Sequence, residues 1–213
     1  MRVVAQVLHL IRHGEVHNPA GVIYGRLPGF GLSDRGAAMA AMTARGIADL
    51  PVTRLIASPL LRTQQSAQPI AELFGLDIEP DERVIESANK LEGRVSRAGA
   101  LLREPGDWRY FRNPLQPSWG EPYVEVLARM RAAVRDAFES TPNGHVVIVS
   151  HQLPIWTVHR SVSGLPLAHD PRRRRCALSS ITTFERRDGR IVETAYADPA
   201  ASVLAAAVDR GAT

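Results

Sequence analysis

Two apolar runs of strand type each stop on a polar residue at the point where their core-building part ends. "VVAQVLHLI", Val3–Ile11, gives way to Arg12-His13-Gly14-Glu15, and "HVVIVS", His145–Ser150, gives way to His151. Both runs are rich in β-branched residues and almost continuously apolar, the pattern of strands buried on both faces. Strands of that kind need helices above and below them.

The intervening sequence supplies those helices. Ser33 or Asp34 can cap a helix through "AAMAAMTARGIADL". "TRLIAS", Thr53–Ser58, reads as a further strand. In "SPLLRTQQSAQPIAELFG" Ser58 is expected as the N-cap and Pro59 at the first helical position. Pro69 is expected to kink or divide that helix, and Gly75 to end it. "DIEPDERVIES" reads as extended and runs to Glu86. Glu121–Thr141 is a long amphipathic helix in which Val124, Leu127, Met130 or Arg131, Val134 and Phe138 recur at helical spacing. A helix through "PIWTVHRSVSG" follows, then two closing strands, "LSSITTFE" and "RIVETAYA", joined by a hairpin turn at Asp188-Gly189.

Between Asn89 and Gly120 the periodicity weakens, and Trp108, Tyr110, Phe111 and Trp119 stand among arginines and prolines. This stretch reads as a cap or insertion, at about residues 88–120, over a single domain spanning 1–213. Strands alternating with helices predict a three-layer α/β/α sandwich with a mainly parallel sheet.

Composition narrows the function classes. The 213 residues are 45% hydrophobic and 23% charged, enough to bury a core without staples. The single cysteine, Cys176, excludes an intrachain disulfide framework and a cysteine-based zinc site. No signal-type segment and no apolar run of roughly 18–20 residues is present, so the expectation is a soluble, cytoplasmic protein without membrane contact. The net charge is +4, carried by arginine except at Lys90. A basic balance suits a phosphorylated small substrate, nucleic acid or an acidic surface. The densest cluster, Arg172–Arg175, reads first as a solvated loop and second as a contact for substrate or a polyanion. No nucleic-acid-binding motif accompanies it.

An open α/β sheet places its ligand outside the carboxyl ends of its strands. Arg12 and His13 follow the first strand, Ser58 and Arg62 the second, and His151 the strand at His145–Ser150, with Glu86 between them. Arginine donates to phosphate oxygens in a fixed fork, a helix N-terminus adds anion affinity, neutral histidine can attack phosphorus, and a carboxyl group can protonate the leaving oxygen and later activate water.

"LIRHGE", "SPLLRTQQSA" and "VVIVSH", in that order and each with its secondary structure, resemble the histidine phosphatase superfamily, which includes the cofactor-dependent phosphoglycerate mutases. The resemblance implies that His13 carries the phosphoryl group, that Arg12, Arg62 and His151 bind it, and that Glu86 is the acid and then the base. Asn18 and Arg26 match positions that commonly face phosphate or substrate. His17 lies close enough to the motif to touch substrate, and Gln152, standing where the family commonly has glycine, either enters the pocket or caps the next helix. No metal and no cofactor is implied, and a homodimer is compatible with the family. The acid loop "ESANKLEG" is about one residue shorter than the family pattern, which leaves Asp81, Glu82 and Glu92 as alternatives to Glu86.

The function expected is hydrolysis of a phosphomonoester on a phosphohistidine intermediate. The alternatives are a phosphoglycerate-type mutase, which needs water exclusion and a site for a second anionic group, and a catalytically inactive phosphate-binding or interaction protein.

Overall fold

The computed structural model describes residues 5–95 and 120–204. A six-stranded sheet runs through its middle in the order β3-β2-β4-β1-β5-β6. Its strands are β1 (Val7–Arg12), β2 (Val52–Ala57), β3 (Ile78–Pro80), β4 (His145–Ser150), β5 (Ile181–Arg187) and β6 (Arg190–Ala197). The first four in that spatial order are parallel, while β5 runs antiparallel to β1 and to β6. The helices are α1 (Asp34–Gly46), α2 (Leu61–Phe74), α3 (Tyr123–Ser140), α4 (Gln152–Val162) and a short closing turn, α5 (Ala201–Leu204).

Side-chain alternation along the strands divides the core into two faces. Leu8, Leu10, Ile56, Val146, Ile148 and Phe184 pack against α3 and α4. Ile11, Leu55, Ala57, Val147, Val149 and Ile181 pack against α1 and α2. Every strand residue named here is almost fully buried. This is the mainly parallel α/β/α sandwich that the strand and helix alternation predicts.

Several local expectations change. Helix α2 starts at Leu61, not Pro59, and Ser58 does not cap it. The Ser58 carbonyl instead accepts from Thr63 Oγ1 and Gln64 Nε2, both at 2.8 Å, which holds the strand-to-helix turn and leaves the serine hydroxyl for the site. The helix runs undivided through Pro69 to Gly75, whose φ of 63° suits glycine. In α3 the buried face begins with Tyr123 and Val126, and Val124 is exposed. The extended segment before Glu86 shortens to β3 and then turns through a 3₁₀ helix at Glu82–Val84. Ser33 caps α1 as predicted, accepting from Gly36 N, and Asp188 and Gly189 both take positive φ at the β5–β6 hairpin. Most of the expected cap, with Trp108 and Trp119, lies outside the described residues.

Candidate active site

The carboxyl ends of β1, β4 and β2 lie side by side, because Arg12 is the register partner of Ser150 and Ala57 that of Val149. Arg12, His13, Ser58, Arg62, Glu86 and His151 are all buried at this edge. Six polar side chains in a dry pocket are costly unless they satisfy one another or meet a ligand.

Gly14 explains why a glycine follows His13. A Cβ at that position would stand 2.5 Å from the carbonyl oxygen of Gly36, so the end of β1 and the first turn of α1 meet backbone to backbone. Gly14 N also donates to Ser66 Oγ at 3.1 Å, tying the turn to α2. Ser179, held at φ 60°, donates its N–H to the His13 carbonyl at 3.2 Å.

His13 Nδ1 lies 2.8 Å from the Gly14 carbonyl oxygen. A carbonyl only accepts, so Nδ1 carries the proton, and in the neutral ring Nε2 holds a lone pair. That Nε2 is buried with no hydrogen-bond partner. Burial, then the charges of Arg62 and Arg12, push the imidazole well below the usual histidine range, against the pull of the Gly14 carbonyl. The ring is neutral at physiological pH.

His151 faces it, with ring centroids 5.2 Å apart. Arg62 Nη2 donates to His151 Nδ1 at 3.3 Å, so the proton sits on Nε2, which donates to Ser58 Oγ at 2.9 Å. Burial, Arg62 and His13 likewise hold this ring well below the ordinary range. Arg62 Nη2 also donates to Gly25 O at 2.7 Å, and its guanidinium lies over the Tyr24 ring at 4.8 Å. Arg12 Nη1 donates to Cys176 O at 2.7 Å.

Glu86 Oε1 accepts from Ser87 N at 2.8 Å. Its Oε2 has no hydrogen-bond partner and stands 3.9 Å from His151 Nδ1. Because that nitrogen already accepts from Arg62, the contact is not an ion pair. Burial raises the Glu86 pKa above the usual value, opposed by Arg62, the Ser87 N–H and Arg12. Of the four carboxylates open from sequence, Glu86 alone is buried in the cluster: Asp81 pairs with Arg83 at 2.8 Å, Glu82 is exposed, and Glu92 accepts from Arg26 N.

The main chain around Glu86 is fastened from three sides. Ser150 Oγ donates to Val84 O, Arg129 Nη1 to Ile85 O, and Arg26 Nε to Glu86 O, at 2.7, 2.6 and 2.7 Å. Arg26 also pairs with Glu121 at 2.8 Å. Two of its guanidinium nitrogens therefore hold the acid loop in place. Asn18 spends both ends of its amide on the Val22 main chain, closing a loop. Together with exposed His17 it lines a cavity of about 290 Å³ beside Glu15 and Ser33. Gln152 opens α4 and makes long contacts, each 3.4 Å, to Cys176 O and Arg174.

Sequence reasoning missed three parts of this surround. The Gly25 carbonyl and the Tyr24 ring come from the glycine- and proline-rich segment, whose path no periodicity reveals. Arg174 belongs to a run read as a solvated loop. Among the described residues no cluster of histidine, cysteine and carboxylate could hold a metal ion, and no helix is long and apolar enough to cross a membrane.

The sequence profile of the histidine phosphatase superfamily (branch 1) matches residues 8–199. The chain belongs to that family. It is 51% identical over 195 residues to the uncharacterized protein Rv0525 of Mycobacterium tuberculosis, covering 91% of this chain and 96% of that one. It is 31% identical over 201 residues to the probable phosphoglycerate mutase GpmB of Erwinia tasmaniensis, covering 88% and 91%. A crystal structure of phosphoserine phosphatase from Entamoeba histolytica in complex with 3-phosphoglyceric acid superposes with a TM-score of 0.74 at 23% identity, covering 89% of this chain and 95% of that one. The family and its neighbours support a phosphatase or mutase enzyme.

Proposed function

We propose that the chain is a phosphomonoester hydrolase working through a phosphohistidine on His13. The observation that carries this reading is the pairing, in one dry pocket, of a neutral imidazole whose lone pair is free with a buried carboxyl group inclined to keep its proton. In the first step His13 Nε2 attacks phosphorus in line, the P–O bond to the alcohol breaks, and Glu86 gives its proton to the leaving oxygen. In the second, Glu86 takes a proton from water, whose oxygen attacks phosphorus and breaks the P–N bond, releasing phosphate. Arg12 and Arg62 supply the charge and donors that hold the phosphoryl oxygens through both steps, the main task in phosphoryl transfer, and His151 orients Arg62. Hydrolysis is preferred to mutase turnover because a buried carboxyl group such as Glu86 can serve as base for water.

The test is phosphate release from a panel of phosphomonoesters, with His13→Ala alongside the parent. The expected result is turnover by the parent, a phosphoenzyme that is labile in acid and stable in alkali, and loss of both in the variant. Turnover that persists in His13→Ala refutes the intermediate. Activity that appears only with a bisphosphate primer makes the protein a mutase.

A further inference from the structure

The run Arg172–Arg175 is not one basic stripe. Arg172 pairs with Asp170 at 2.8 Å, and Arg175 pairs with Glu193 while lying over the Tyr196 ring. Arg174 turns inward instead and is half-buried. Its Nε donates to His169 Nε2 at 2.9 Å. His169 can accept there because its Nδ1 faces the Leu167 carbonyl at 2.6 Å, which fixes the ring proton on Nδ1. The His169 ring stacks on Tyr123, centroids 5.1 Å apart. Arg174 is thus seated on a built platform.

That platform adjoins the phosphoryl pocket. Arg174 Nη1 contacts Gln152 Oε1, Gln152 Nε2 contacts Cys176 O, and the same carbonyl accepts Arg12 Nη1. Arg174 also lies within the electrostatic field of Glu86 and of Arg12. Yet no carboxylate among the described residues pairs with it: each partner it has is neutral. A guanidinium withdrawn from water, within the field of Arg12 and with no carboxylate partner among the described residues, is poised for an anion. With Nε committed to His169, its Nη edge remains to meet one, and a fork of that geometry matches a carboxylate.

Resting on the reading of the His13 pocket given above, we infer that Arg174 binds a second anionic group of the substrate, so that the preferred substrates are small phosphomonoesters bearing a carboxylate near the ester. The charge of a single guanidinium balances one carboxylate, whereas a second phosphoryl group calls for more donors than this edge offers. His169, Tyr123 and Gln152 are positioning residues for it.

Two matched pairs of esters test this: phosphoserine against phosphoethanolamine, and 3-phosphoglycerate against glycerol 3-phosphate. The members of each pair differ chiefly in the carboxylate. A hydrogen-bonded charge contributes about 1.5–3 kcal/mol, so at about 1.4 kcal/mol per decade the parent favours the carboxylated member by roughly ten- to 150-fold in kcat/KM. Arg174→Gln is expected to abolish that preference, lowering the rate on the carboxylated member by a further roughly ten- to 150-fold beyond any loss on the uncarboxylated one. Arg174→Lys, which keeps the charge and loses the fork, falls between and carries the test if the glutamine variant melts early. Equal rates on both members in the parent, or equal losses on both in Arg174→Gln, overturn the inference. Equilibrium binding of the same pairs to His13→Ala, with and without Arg174→Gln, decides the matter without turnover. A parent inert on every ester then refutes the hydrolase reading, while the binding preference separately upholds or sinks the role of Arg174.

Discussion

Glu86→Gln is the most informative single change, because glutamine keeps the shape and removes only the proton chemistry. The amide oxygen can still accept from Ser87 N, as Glu86 Oε1 does at 2.8 Å, and the main chain remains held by Arg26, Arg129 and Ser150. The fold is expected to survive. A positioned general acid contributes about 10²–10⁴-fold, or ~3–5 kcal/mol of barrier at 1.36 kcal/mol per decade. That full loss is expected for an alkyl ester, whose alkoxide cannot depart unprotonated. For p-nitrophenyl phosphate, which needs no proton to leave, the first step persists, and a burst of nitrophenolate precedes slow turnover because water activation is lost. The pH profile supplies an independent readout. Attack requires neutral His13, whose pKa is depressed well below 6.5, and protonated Glu86, whose pKa is raised above 4.5. The parent kcat/KM on alkyl esters therefore falls as pH rises through the elevated Glu86 pKa, and this limb disappears in the variant. Stopped-flow and steady-state kinetics across pH 4–9 measure both. Equal losses on the two leaving groups, with the falling limb unchanged, refute the assignment.

Two further changes probe the scaffold. Gly14→Ala forces a Cβ to within 2.5 Å of the Gly36 carbonyl oxygen; overpacking of this kind costs about 1–3 kcal/mol, and because the same turn supplies the acceptor for His13 Nδ1, denaturant unfolding and kcat are expected to fall together. Wild-type stability in Gly14→Ala contradicts the backbone contact. His9, buried between Thr183 Oγ1 and His145 Nδ1 at 3.0 Å each, has its pKa lowered from 6.5 to about 4, first by burial and then by His145. A depressed folded pKa means that the unfolded chain binds the proton more tightly, so stability present above pH 6.5 is lost as pH falls toward about 4. The shift corresponds to at most about 3 kcal/mol, and His9→Val is expected to flatten that limb of the stability–pH curve. An unaltered acid limb in the variant removes His9 as its cause.

What was legible from sequence shares a physical basis. Strands β1 and β4 declared themselves because both faces are buried, which demands unbroken apolar residues, and the polar residues at their ends stand out against that background. Arg12, His13, Arg62 and His151 meet because parallel strands in register bring their carboxyl ends together, something local pattern alone can foresee. Glu86 was harder to place, since it hangs from a 3₁₀ turn whose position depends on Ser150 Oγ, Arg129 and Arg26, all distant in the chain. Ser58 misled because Ser-Pro is ordinary helix-start chemistry; here the hydroxyl turns to His151, and Thr63 and Gln64 take over at the turn. Val124 and Val126 both sit among apolar residues at the start of α3, and only docking decides between them. The Arg172–Arg175 run was unreadable for a related reason. Four identical side chains carry no periodicity, and what separates Arg174 from Arg172 and Arg175 is that it turns inward onto His169 while they pair with Asp170 and Glu193.

Neutral partners anchor the arginines of this pocket among the described residues. Arg12 and Arg62 are anchored on the carbonyls of Cys176 and Gly25, and Arg174 on His169 and Gln152. Carbonyls and neutral rings occupy N–H donors and fix geometry without cancelling charge, whereas a carboxylate partner does both. Glu86, the one carboxyl group in the cluster among the described residues, is biased by burial toward its neutral form. Both histidines are held neutral first by burial and then by the arginines around them. The pocket thus sets buried guanidinium groups beside a nucleophilic lone pair on His13, two properties that conflict in water because a protonated imidazole is the usual neighbour of an anion. Burial resolves the conflict: it costs a charged imidazole more than it costs an arginine, whose proton is held far more tightly.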